Sequence, residues 1–198
     1  MLATVVIDND TLVNLTKLKQ LGIFNFLPSL FSQIHIPEQI AKEYQVQQAK
    51  EPDRVWILDR LKPNQGFYSF CTRYDMIVLT IIKGVKHIHK GEAEVYAQHK
   101  RVNAQYILSD DLKFHKAISE VDSNVKILTT LHVIAMLDIR QFIINRDGML
   151  KVLHTHSNFK SSDLREAYLK ALKELGVQLS KKELNSKCSF KKLGLRLK

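Results

Sequence analysis

The segment that most constrains this chain is Thr4-Val5-Val6-Ile7, a short unbroken apolar run that stops at Asp8-Asn9-Asp10-Thr11. A strand covered by helices on both faces of a parallel sheet reads this way, because both of its faces are dry. A helix is expected next, through Leu12, Leu15, Leu18 and Leu21, stopped by Gly22. The alternation then repeats. Residues 33–36 predict a second strand, and Pro37 opens a helix from Glu38 to about Gln48, a position where proline is tolerated. Residues 55–58, 105–108 and 125–128 are further strand candidates. Pro63-Asn64-Gln65-Gly66 predicts a turn. Helices are expected over 24–31, 67–83, 92–101, 112–120 and 131–139. Strands alternating with helices predict an α/β fold of three layers, α/β/α, around a central, mainly parallel sheet.

After about Gly148 the pattern changes. Ser161-Ser162-Asp163 caps a helix over 164–175 that Gly176 ends, and lysines dominate from Lys181 onward. This divides the chain into an α/β domain over 1–150 and a basic, partly helical extension over 151–198. Of the 198 residues, 45% are apolar, enough for a core, and the formal net charge is +10. Such a charge attracts polyanions, nucleic acid foremost, although anionic lipid attracts basic patches too. Cys71 and Cys188 form neither a CxxC pair nor a disulfide framework. Neither a signal peptide nor an apolar run of membrane-spanning length is evident, so the expected setting is a reducing, cytoplasmic one with no membrane partner.

The acids are placed unevenly. Asp8 ends the first strand, while Asp110 and Asp111 end a later one. Ligands of open parallel sheets bind just outside those strand ends, so two such strands would converge carboxylates in one cleft. Helix capping is the alternative use of Asp8, Asp10 and Asp111. Glu43, one turn beyond Ile40 and beside Tyr44, is expected at the rim of a buried helix face, with solvation the alternative. Gly91-Glu92-Ala93-Glu94 opens a helix, where acids also suit the helix dipole. Glu92 shares a side with Val95 and Tyr96 and is the expected cleft residue. Glu94 shares one with Ala97, Gln98 and Arg101 and is expected in solvent. Clustered carboxylates repel one another unless a cation joins them, and hard ions such as Mg²⁺ and Mn²⁺ prefer oxygen ligands. Two such ions can activate water for phosphodiester hydrolysis.

In their order these strings resemble PIN-domain nucleases, in the branch related to VapC-type toxin ribonucleases. The resemblance rests on Val5-Val6-Ile7-Asp8-Asn9-Asp10-Thr11-Leu12, Ile36-Pro37-Glu38-Gln39-Ile40-Ala41-Lys42-Glu43, Gly91-Glu92-Ala93-Glu94-Val95-Tyr96 and Ile107-Leu108-Ser109-Asp110-Asp111-Leu112-Lys113-Phe114. Ile127-Leu128-Thr129-Thr130-Leu131 is similar to the family's last strand and turn. The resemblance spans about residues 3–150. It implies a metal-dependent ribonuclease in which Asp8, Glu43, Glu92 and Asp111 fill the four acidic places. Asp110 rivals Asp111, and Asp10 adds a carboxylate where relatives carry a small hydroxyl residue. The metal set is then Asp8, Glu92, Asp111, Asp110 and Asp10, and the cofactor Mg²⁺ or Mn²⁺. The implied substrate is RNA, with single-stranded DNA the alternative. A toxin or defence role, a homodimer and an inhibitory or effector protein partner follow from the resemblance alone.

Two histidine pairs, His87/His89 and His154/His156, would share a side on a strand, but no further ligand completes either as a metal set; solvated loops are the expectation. The tail residues Lys181, Lys182, Lys191, Lys192 and Arg196, with Lys187, are candidates for phosphate contact. There is no GxxxxGK[ST] loop.

Overall fold

A computed structural model describes residues 2–48, 62–63, 66–157 and 159–194. Six strands form one sheet: β1 (Ala3–Ile7), β2 (Phe31–Pro37), β3 (Lys62–Pro63), β4 (Tyr68–Cys71), β5 (Tyr106–Leu108) and β6 (Ile127–Leu128). Their order is β3-β4-β2-β1-β5-β6, and every pairing is parallel. The expected α/β/α architecture is therefore present. Val5, Val6 and Ile7 are buried at the centre, as an apolar run sandwiched by helices requires.

The helices are α1 (Asn9–Lys17), α2 (Ile23–Phe26), α3 (Glu38–Gln48), α4 (Met76–Lys83), α5 (Lys90–Val102), α6 (Leu112–Val121), α7 (Thr130–Ile139), α8 (Arg146–Ser157), α9 (Ser161–Leu175), α10 (Lys181–Lys187) and α11 (Phe190–Leu193). The first expected helix is split: α1 ends at Lys17 and a 3₁₀ turn over Lys19–Leu21 runs into Gly22 at φ 76°. The second is shorter than expected. After α2, Leu27–Ser29 is a 3₁₀ turn containing Pro28, which supplies no N–H, and Phe31 already begins β2. The stretch 67–83, expected to be one helix, is a strand followed by a helix. Burial alternates along β4, with Ser69 and Cys71 inside, and Asp75 restarts the chain as a cap that accepts from the Ile77 and Val78 N–H groups. On α4, Met76, Ile77 and Ile81 face outward. The strand expected over 55–58 lies outside the described residues, as do residues 64–65 of the expected turn.

Beyond Gly148 the chain returns to the same core. α9 packs along α7 through Leu164, Ala167, Tyr168 and Ala171. Leu184, Phe190 and Leu193 of the last helices join the hydrophobic cluster that holds β1. Asp138 on α7 fastens this region: its carboxylate accepts from the Tyr168 hydroxyl at 2.5 Å and from Lys187 Nζ at 2.6 Å. Lys187 is thus a strut. No helix among the described residues is long and apolar enough to cross a membrane.

Candidate active site

β1 has β2 on one side and β5 on the other, so the chain changes direction across the sheet at the β1/β5 crevice. Open α/β sheets bind ligands at the carboxyl ends of strands at such a point. Asp8 stands at the end of β1. Its N–H donates to the Leu108 carbonyl at 2.9 Å, while the Ser109 N–H donates to the Leu128 carbonyl at 3.0 Å. The ends of β1, β5 and β6 are thereby laced into one rim.

The Asp8 side chain is only 6% exposed. One carboxylate oxygen accepts from the Asn9 N–H at 2.6 Å, and the other from the Ser109 hydroxyl at 2.9 Å. Burial pushes its carboxyl up to about 7; the two hydrogen bonds pull it down, and the charges of Asp10 and Glu92 push it further up. Glu92, 8% exposed, accepts from the His89 N–H at 2.6 Å at the start of α5. Burial raises its pKa, and Asp111 and Asp10 add to the rise. Asp10 is likewise raised by burial, then by Asp111 and Asp110, against a partial offset from Lys17. Asp8, Asp10, Glu92, Asp110 and Asp111 therefore share one negative field.

The two aspartates after β5 differ in their bonding. Asp110 accepts from Asn14 Nδ2 and from the Thr130 N–H, both at 2.8 Å, and from the Thr130 hydroxyl. Both of its oxygens tie β5 to α1 and α7. Asp111 caps α6 through Oδ1 alone, accepting from the Lys113 and Phe114 N–H groups at 2.7 and 3.2 Å. Asp8 and Asp111 both serve as helix caps, so capping and membership of the acidic rim coexist here. Glu43 is half-buried and approaches α5 at Gly91, where a Cβ would lie 3.0 Å from Glu43 Oε1 and 3.0 Å from Ile40 Cδ1. The glycine permits that approach.

Glu94 departs from expectation. It is 7% exposed rather than solvated. It accepts from the Gln39 N–H at 2.9 Å and the Tyr74 hydroxyl at 2.7 Å, pinning the start of α3 to α5. Partners distant in sequence make its burial tolerable. Ser109, Asn14, Thr130 and Tyr74 support the acids without having been singled out; the signal available was a polar residue directly after a strand, or one helical turn from Asp10.

The histidine pairs separate. His87 has φ 67° in an exposed turn, and His89 precedes α5. His154 and His156 lie on α8, where residues two apart diverge, and His154 packs on Phe159 and Phe190. Lys181, Lys182, Lys191 and Lys192 are exposed. Lys181, Lys182 and Lys192 line one concavity with Asn185, Ser186 and Ser189. Arg196 lies outside the described residues.

A family model described as a PIN domain matches residues 4–174. The chain belongs to the PIN-domain family. No curated protein matches it. PIN domains are generally nucleases that use divalent metals, and the match reaches through α9. In this PIN domain the rim is an all-oxygen, mutually repelling set, the donor chemistry that suits a hard divalent cation. Among the described residues, no three His, Cys, Asp or Glu side chains already stand as a closed ligand group. The rim fits such an ion by its chemistry and supplies separate carboxylates to it.

Proposed function

We propose that this PIN domain is a Mg²⁺- or Mn²⁺-dependent ribonuclease that hydrolyses phosphodiester bonds. The observation that carries the reading is the field shared by Asp8, Asp10, Glu92, Asp110 and Asp111 at the β1/β5 switch point, strong enough to hold Asp8 at about 7. Divalent cations bound there would activate water and stabilise the leaving oxygen. Asp8, Glu92 and Asp111 are the residues to hold them. Glu43 flanks the set across Gly91, and Asp10 adds charge at the mouth. Ser109 and the Asn9 N–H aim the Asp8 carboxylate, and the His89 N–H aims Glu92. Asp110, with both oxygens engaged, positions the rim, which favours Asp111 for the fourth place. Lys181, Lys182, Lys191 and Lys192 hold the RNA backbone. A toxin or defence effector is the biological role proposed, with an inhibitory protein partner and a homodimer as its associations.

The test is cleavage of end-labelled RNA and single-stranded DNA with Mn²⁺, Mg²⁺ or EDTA, wild type beside Asp8→Asn and Asp111→Asn. The expected result is RNA cleavage that needs the cation and is lost in both folded variants. Cleavage that persists in both sinks the assignment. A nucleic-acid-binding module is the second reading, favoured by the concavity of exposed lysines. Salt-sensitive RNA binding without cleavage under any cation would support it.

A further inference from the structure

A cavity of about 320 Å³ opens beside Asp110 on the same edge of the sheet, between the end of β6 and helices α6 to α9. Asn14 and Asp110 line it, so it adjoins the acidic rim. Its walls are of two kinds. Leu131, Leu153 and Phe159 supply apolar surface. Phe159 is held edge-on between His154 and Phe190, with ring centroids 5.1 and 5.7 Å away. The imidazoles of His115 and His132 supply hydrogen-bonding edges.

The histidine chemistry is defined by their partners. His132 is 7% exposed. Its Nδ1 accepts from the Thr129 N–H at 3.0 Å, so the ring is neutral and its proton sits on Nε2. That Nε2–H has no hydrogen-bond partner. A buried donor left so is costly, and it calls for an acceptor that the chain does not provide. His115 lies 2.7 Å from the Ser109 carbonyl through Nε2, which must donate; its Nδ1 is then an acceptor. Burial lowers the pKa of both rings, His132 to about 3, in keeping with neutral forms. Lys170 is tied to the Ile127 carbonyl at 2.5 Å, and Asp163 and Glu166 stand exposed at the rim. A phosphate would meet neutral rings, a committed ammonium and carboxylates. An uncharged planar heterocycle would meet apolar walls, a donor and an acceptor.

We propose that this cavity is a nucleobase subsite, which receives a base next to the acidic rim and uses the His132 Nε2–H as a donor to a ring nitrogen or carbonyl. Its place along a cleaved strand rests on the nuclease reading; the binding of a base does not.

The test titrates adenosine, guanosine, cytidine, uridine and, separately, ribose 5-phosphate into the full chain in EDTA. The readout is the histidine ring signals by NMR. Wild type is compared with His132→Phe, Ser157→Trp and Asp8→Asn, each checked for folding by circular dichroism. Ser157 is an exposed lining residue, so tryptophan fills the cavity without disturbing the cap at Thr129. The expected result is a saturable shift of the His132 and His115 rings with at least one nucleoside and none with ribose 5-phosphate. Binding should be at least tenfold weaker in His132→Phe, abolished in Ser157→Trp and kept in Asp8→Asn. No shift with any nucleoside at millimolar concentration, an equal response to ribose 5-phosphate, or full binding in Ser157→Trp overturns the proposal. Base binding by a chain that cleaves nothing would leave the subsite standing and remove only the nuclease reading. Cleavage lost in Asp8→Asn, with no base bound by wild type, would do the reverse.

Discussion

Asp8 illustrates how one carboxyl couples folding to proton and cation. Its folded pKa is about 7 against 3.8 for the unreacted side chain. Between those values the folded chain holds a proton that the unfolded chain has released, so stability is highest below the window and falls as pH rises through it. At about 1.4 kcal/mol per unit, the loss is on the order of 4 kcal/mol. Asp10 and Glu92 are raised too and add in the same direction. Urea melts at pH 5 and pH 8 in EDTA should show this loss in wild type and most of it gone in Asp8→Asn; Mn²⁺ at pH 8 should restore wild type alone. Gly91 gives a second expectation. Alanine there meets Glu43 Oε1 and Ile40 Cδ1 at 3.0 Å, both ends of flexible side chains. They can yield, so Gly91→Ala should change stability by less than about 1 kcal/mol, with helix propensity offsetting the crowding. It displaces Glu43, however, and we expect RNA cleavage to fall at least tenfold. Unchanged cleavage would remove Glu43 from the site.

Among the elements, α3 and α5 are held together by Glu94, Tyr74 and the Gln39 N–H. The Tyr74 hydroxyl also accepts from the Glu38 N–H at 2.8 Å. Tyr74→Phe leaves these groups unpaired near the core and should cost about 1–3 kcal/mol in denaturant melts. A loss below the error of the melt would show the clasp to be idle. This clasp also marks where reading a sequence stops. β1 and β5 were legible because an apolar run buried on both faces needs no knowledge of its neighbours. The acids at their ends were legible because a strand's end fixes its edge. Glu94 was not, since helical spacing places it on the polar side and only Tyr74 and α3, far along the chain, make burial tolerable. β4 was hidden for a related reason. Its four residues adjoin α4, whose outward Met76, Ile77 and Ile81 extend the apolar stretch and blur a period of two into one of 3.6.

Over the whole molecule, a formal charge of +10 surrounds a negative rim. A polyanion is drawn to the body and repelled from the rim until cations neutralise it. If the exposed lysines of α10 and α11 hold the backbone, Lys181→Ala with Lys182→Ala should weaken RNA binding for all sequences and lower the slope of log K against log salt by roughly 1 to 2. An unchanged slope would place the contact elsewhere. Nucleoside binding in the cavity beside Asp110 should survive the same change. The rim has one more consequence, for protein engineering. Like charges crowded out of water oppose folding, and neutral substitutions there relieve them. A library selected only for surviving heat, with chelator present and nobody assaying catalysis, should therefore accumulate replacements at Asp8, Asp10 and Glu92, so that the thermally fittest clones outline the working centre by what they have given up.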